Sequence, residues 1–184
     1  TMETLAQIVR SGKALYVGIS NYDGVHMEKA ATILKELHCP FIINQNRYSI
    51  FDRTIEKNGL KEAAVESGKG IIAFSPLAQG TLTNRYLNGI PKDSRVNTDG
   101  RFLHADQFSE ERLNSIRSLN AIAAERGESL AQMALKWILR DGIVTSVLIG
   151  ASRTQQILEN LKVLDSASFS EEELKKIDEC SLAL

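Results

Sequence analysis

The sequence predicts an α/β fold built on a parallel sheet, and three observations carry that expectation. Short β-branched runs alternate with longer stretches of helical periodicity. The runs are continuously apolar rather than alternating, as in strands covered on both faces. Four strand-then-helix units fit into 184 residues, which implies right-handed crossovers. This pattern describes equally an open doubly wound sheet and half of an eight-stranded barrel.

The elements follow in order. Leu5, Ile8 and Val9 recur at helical spacing before Ser11-Gly12 stops the helix. That helix is under way almost from Thr1, so a segment preceding Thr1 is expected. The first strand is ALYVGIS (14–20), bounded by Gly12 and Asn21. A helix over 25–38 places Met27, Ala30, Ala31, Leu34 and Leu37 along one stripe. FIINQ (41–45) follows Pro40 as the second strand, and a helix over 60–67 closes at Gly68. GIIAFSPL (70–77) is the third strand. Ser109 can cap a helix reaching Arg126, with Gly127 past its end. Ser129 with Gln132, and Ser170 with Glu173, have the spacing of capping boxes. The first of these opens a helix to Arg140. VTSVLIGAS (144–152) is the fourth strand, followed by an amphipathic helix from Thr154 to Leu164. The long irregular stretch 88–108 has the length of a functional or mobile loop.

Composition excludes several classes. Apolar residues make up 43% and charged residues 24%, with a net charge of -1, so nothing marks a nucleic-acid partner or an anionic membrane surface. No apolar run approaches the roughly 20 residues that span a bilayer. Cys39 and Cys180 have no paired spacing, which points to reduced thiols in a cytoplasmic protein and to no metal site.

The polar residues that matter sit where the strands end, the place at which parallel α/β folds bind ligands. The strands finish in Ser20-Asn21, in Asn44-Gln45-Asn46, in Ser75 to Gly80, and in Gly150-Ala151-Ser152-Arg153. Gln45 is the most telling, because an amide there is neither a good turn former nor a cap, yet it can pair with another amide. The fourth end reads as an anion site. Gly150 lets a ligand approach the backbone, Ser152 can cap the next helix, and Arg153 adds a fork suited to phosphate. Phe74 either packs in the core or stacks on a flat heterocycle. Arg85 and Arg95 lie in the following loop, within reach of a polyphosphate. The glycine fingerprints of the two common nucleotide loops are absent as literal motifs.

Four blocks, GKALYVGISNY (12–22), INQNRYSIFDR (43–53), AFSPLAQGTLTNRYLNGIP (73–91) and SVLIGASRTQQILENL (146–161), together resemble the aldo-keto reductase family. The likeness is greatest to bacterial reductases similar to the voltage-gated potassium channel β-subunits. The resemblance runs over 1–184 and implies a single domain forming the C-terminal half of a (β/α)8 TIM barrel, strands 5 to 8 with their helices, without the N-terminal half. It implies NADP(H) as cofactor and a small aldehyde or ketone as substrate. Ser20, Asn21 and Gln45 match the family's carboxamide-binding residues, and Phe74 the aromatic that stacks on nicotinamide. Ser75, Leu77, Gln79 and Gly80 match the loop along the pyrophosphate. Arg85 stands where the channel subunits carry lysine, and Arg95 matches an arginine of the covering loop. Gly150, Ser152, Arg153, Gln156, Glu159 and Asn160 match the adenosine and 2′-phosphate pocket.

The family's acid–base tyrosine, lysine, aspartate and histidine correspond to nothing here, so no catalytic residue is assigned. Tyr16, Tyr22, Tyr48 and Tyr86 lack the partner set, and His26, His38 and His104 read as surface or loop residues, with His26 near a substrate mouth. The edges at 15–20 and 144–151 then imply pairing with the N-terminal half or with another copy. Besides a reductase, a regulatory module that senses NADP(H) and a phosphate-binding half-barrel without redox chemistry fit the same residues.

Overall fold

The computed structural model describes residues 1–91, 96, 104 and 108–181, in two compact units. The first comprises Thr1–Tyr48, Arg53–Phe74 and Asp141–Leu148. Its elements are α1 (Met2–Arg10), β1 (Val17–Ser20), α2 (Gly24–Glu36), β2 (Phe41–Arg47), α3 (Thr54–Lys57), α4 (Leu60–Ser67), β3 (Gly70–Phe74) and β4 (Val144–Val147). The strands form a parallel sheet in the order β1-β2-β3-β4, with β1 and β4 at its edges.

Sequential order with right-handed crossovers sends the β1–β2 and β2–β3 connections to the same face. The core lies there: Val17 and Ile19 of β1, Phe41 of β2, and Ile71 and Ala73 of β3 are buried with Met27, Ala30 and Leu34 of α2 and Ala63 and Ala64 of α4. Helix α2 starts at Asp23, whose carboxylate accepts the His26 N–H at 2.8 Å. Helix α4 lies between two left-handed glycines, Gly59 (φ 75°) and Gly68 (φ 62°). Helices α2 and α4 meet at Gly24, where a Cβ would stand 2.3 Å from the Gly59 carbonyl oxygen. Several buried polar groups of this unit find partners, while the side-chain oxygens of Asn44 and Asn46 accept no hydrogen bond among the described residues. Tyr48 donates its hydroxyl to Glu56, Lys61 is bonded to Asp141, and the amides of Asn44 and Asn46 both donate to the Tyr22 carbonyl, at 3.1 and 3.0 Å.

The second unit comprises Ser49–Asp52, Ser75–Arg140 and Ile149–Leu184, with α5 (Glu110–Glu125), α6 (Leu130–Ile138), α7 (Thr154–Leu161) and α8 (Glu171–Cys180). Both capping boxes form, at Ser129–Gln132 and Ser170–Glu173, and Ser109 caps α5. Ile116, Leu119, Ala123, Met133, Trp137, Ile138 and Ile177 are buried. Arg126 ties this unit together. It donates to Glu173 at 2.6 Å and to the Ala167 carbonyl at 2.7 Å, pairs with Glu128 at 3.3 Å, and stacks 4.1 Å from the Phe169 ring.

Several expected boundaries move. The first strand begins at Val17, whose N–H pairs with the Pro40 carbonyl, while Leu15 and Tyr16 are exposed. The second extends to Arg47. The third stops at Phe74, because Ser75 turns to φ 53°, and the fourth stops at Val147. Helix α6 ends at Ile138, α7 gives way to a 3₁₀ turn at Lys162–Asp165, and α3 has no counterpart among the expected elements. The strands are also covered on one face rather than two. Gly18, Ser20, Arg47 and Ser146 are exposed and Gln45, Ile72 and Phe74 half-buried, because the helices of this unit serve the opposite face. Among the described residues no helix is long and apolar enough to cross a membrane. Cys39 is buried and Cys180 half-buried, both free thiols.

Candidate functional site

In the first unit the site grows from strand register. Ser20 of β1 pairs with Gln45 of β2, and Gln45 with Ile72 of β3; two residues on, Arg47 pairs with Phe74. Side chains alternate along a strand, so Ser20, Gln45, Arg47 and Phe74 stand on the less buried face of the sheet. The Gln45 main-chain carbonyl accepts both the Ser20 hydroxyl and the Asn21 N–H, each at 2.9 Å. That locks the end of β1 against β2 and leaves the Gln45 side-chain amide without a hydrogen bond among the described residues. Asn21 sits at φ 60°, a left-handed conformation that asparagine tolerates better than most residues. Its neighbour Tyr22 is held from the buried side by Asn44 and Asn46. One row of this face thus carries Ser20 and Gln45 and another carries Arg47 and Phe74, with the Gln45 amide open to an amide-bearing flat ring.

Beside this face, Asp23 accepts both the backbone N–H and the ring Nδ1 of His26, at 2.8 and 2.7 Å. Those bonds hold the Asp23 carboxyl below its usual range, the backbone bond contributing most. His26, His38 and His104 are all exposed, as expected.

The second unit carries two further parts. Ser75 (φ 53°), Ala78 (φ 46°), Gln79 (φ 62°) and Gly80 (φ 93°) all adopt left-handed backbone. For the three non-glycine residues this costs on the order of 1–3 kcal/mol each, and such strain clusters at ligand clamps. The coil is held by Ala78 N–H to the Ser75 carbonyl (2.9 Å), Gly80 N–H to the Leu77 carbonyl (2.8 Å), and Gln79 Nε2 to Ser75 Oγ (3.0 Å). Leu77 is half-buried beneath it. Backbone that alternates hand in this way turns N–H groups into a concavity that suits anions. Arg85 follows, exposed, on a 3₁₀ turn capped by Thr83. Arg95 lies outside the described residues.

At the start of α7 the expected cap is corrected. Ser152 does not cap the helix: Arg153 is the N-cap, and Gln156 reaches back so that its Oε1 accepts from Ser152 N–H (2.8 Å), Ser152 Oγ (3.2 Å) and Arg153 N–H (3.1 Å). A glutamine at the third helical position closes this turn better than the shorter serine. Gly150 opens onto space, since a Cβ there would meet nothing within 4 Å. Ser152, Arg153, Gln156 and Glu159 are exposed on one side of the helix, with Glu159 accepting from Gln155 at 3.2 Å, whereas Asn160 is buried. The positive end of the helix and the Arg153 fork therefore meet at a surface open to an anion.

Residues that the sequence reading passed over are Arg47, which period-2 counting from Gln45 would have found, and the Asn44–Asn46 clamp, which only the fold brings to Tyr22.

A sequence profile of the Aldo/keto reductase family matches residues 1–182. The chain is 49% identical over 182 residues to the L-glyceraldehyde 3-phosphate reductase of Escherichia coli K12. It is 32% identical over 184 residues to a putative voltage-gated potassium channel subunit beta of Schizosaccharomyces pombe. In both comparisons 97% of this chain aligns with 53% of the relative, so the chain spans about half the length of the curated relatives it matches. Among solved structures it superposes on the thermostable aldo-keto reductase Tm1743, crystallised with the inhibitor epalrestat, at a TM-score of 0.70 and 29% identity, covering 98% of this chain and 53% of that one. The glycerol dehydrogenase of Gluconobacter oxydans gives a TM-score of 0.75 at 26% identity, over 97% and 52% of the two chains.

Proposed function

This chain belongs to the aldo/keto reductase family, and on that premise we propose that it holds NADP(H) for the reduction of an aldehyde or ketone to an alcohol. The observation that carries the reading is the register placing Ser20 and Gln45 side by side, with Phe74 in the next row of the same face. Ser20, Asn21 and Gln45 bind the carboxamide and so fix which face of the nicotinamide meets the carbonyl, and Phe74 backs the ring. The coil at Ser75–Gly80 takes the pyrophosphate, and Arg85 and Arg95 are further cofactor contacts. Ser152 and Arg153, with Gln156 and Glu159, take the adenosine end, where Arg153 selects the 2′-phosphate. Bound there, the cofactor supplies the hydride. Asn160, being buried, supports the helix from within.

The sequential parallel order supports these strands being 5 to 8 of a (β/α)8 barrel. On this reading β1 and β4 take their neighbours from the N-terminal half or from a second copy, and the proton donor to the carbonyl comes from outside these residues. The 184 residues alone then bind the cofactor but turn over poorly, in a cytoplasm that keeps Cys39 and Cys180 as thiols. The fission-yeast relative favours one other reading, an NADP(H)-sensing module. Single-turnover mixing of the NADPH-bound full protein with a small aldehyde tests the choice. Rapid loss of NADPH absorbance marks a reductase. Tight binding with no oxidation marks a sensor, and no binding at all sinks both.

A further inference from the structure

Three consecutive residues of β2, Asn44, Gln45 and Asn46, divide their side chains between the two faces of the sheet. Gln45 stands on the less buried face beside Ser20, and its neighbours turn to the other, where Asn44 is 0% and Asn46 6% exposed. Together they hold the segment that leaves β1. Before the Asn21 side chain, the Asn21 N–H donates to the Gln45 carbonyl at 2.9 Å. After it, the Tyr22 carbonyl accepts the Asn44 and Asn46 amides at 3.1 and 3.0 Å, an oxygen having two lone pairs to offer. Asn21 is thus pinned from both directions by β2, and it is the exposed residue at φ 60°. A non-glycine residue keeps such backbone only where its surroundings over-determine it.

This clamp opposes stability. Both asparagines direct their donors to one carbonyl, and their buried Oδ1 atoms accept no hydrogen bond among the described residues. An unmet buried acceptor disfavours folding, so a strand shaped for stability alone would carry apolar side chains at both positions. Departures of this kind belong where function needs the geometry.

We propose that Asn44 and Asn46 are positioning residues for the cofactor: through the Tyr22 carbonyl they hold Asn21 in the conformation that presents its amide to the carboxamide. The inference rests on the NADP(H) reading and goes beyond it by naming the side chains, behind the sheet and out of reach of the cofactor, that set this contact.

The test uses the full protein and two probes. NADPH carries the nicotinamide, and adenosine 2′,5′-bisphosphate carries only the adenosine end. Titration calorimetry gives both Kd values for the parent protein, Asn44→Ala and Asn46→Ala. The expected result is NADPH binding about 3- to 10-fold weaker in each variant, with the bisphosphate bound within about twofold of the parent. Asn21→Gly adopts the left-handed backbone unaided but has no amide, so it should weaken NADPH binding by itself. In its background the alanine substitutions should change the NADPH Kd by less than about twofold. Equal weakening of both probes, through unfolding or otherwise, would assign the asparagines to the scaffold and overturn the proposal. So would an unchanged NADPH Kd, or effects that add in full to that of Asn21→Gly. Each of these outcomes leaves the cofactor reading intact. A parent protein that binds neither probe removes that reading and this one together.

Discussion

The Ser20 hydroxyl donates to the main-chain carbonyl of Gln45 at 2.9 Å, not to the Gln45 side chain. The strand end is thus tied through backbone, and the Gln45 amide stays available to a ligand. Gln45→Leu should leave the sheet intact and weaken NADP(H) binding about 10- to 100-fold, the cost of two amide hydrogen bonds. Titration calorimetry on the full protein reads the change, and an unaltered Kd would remove Gln45 from the site.

Gln79 pairs with Ser75 across a run of left-handed backbone. Gln79→Gly relieves φ 62° but removes the bond to Ser75, so stability should change by less than about 1 kcal/mol while NADP(H) binding weakens. Denaturant midpoints and binding isotherms measured on the same preparation check both. Gains in both would show that the strain serves no ligand.

Gly24 faces the Gly59 carbonyl so closely that a methyl group would stand 2.3 Å from its oxygen. Gly24→Ala should force α2 from α4 and cost about 2–3 kcal/mol, seen as a lower urea midpoint with an unchanged slope. Val25→Ala, at an exposed position one residue on, should cost well under 1 kcal/mol.

Arg126 is 6% exposed at its side chain and holds Glu128, Glu173 and the Ala167 carbonyl. Arg126→Ala leaves Glu173 and that carbonyl without their cation and should cost about 3 kcal/mol. Arg126→Lys should recover less than half, since one ammonium cannot span the same acceptors. Thermal unfolding of both variants gives the comparison.

Acid should act through two carboxyls. The Ser170 N–H, then Arg126, hold Glu173 below its ordinary 4.5, and the His26 N–H, then its ring, hold Asp23 below 3.8. Both titrate lower folded than unfolded. Their stabilisation is therefore complete above those ordinary values and is lost as pH falls through the lowered folded ones. Urea midpoints taken downward from neutral pH should drop below pH 4.5 in the parent and drop less steeply in Glu173→Gln and Asp23→Asn.

What the sequence determined by itself were the local features. The alternation of apolar runs and helical stripes fixes the α/β class, and Ser129–Gln132 and Ser170–Glu173 fix helix starts, because a cap is complete within four consecutive residues. The strand ends that carry the candidate site were legible for the same reason, as was the family, through its blocks of matching residues. Tertiary structure decided what depends on register and on competing partners. Only pairing of β1, β2 and β3 puts Ser20, Gln45 and Phe74 on one face and adds Arg47 to it, since a shift of one residue would turn every side chain over. Only folding shows that Gln156, not Ser152, closes α7 and that Asn160 turns inward. Those choices are made by which of several possible acceptors comes within 3 Å or so. A linear string of residues carries no record of that distance.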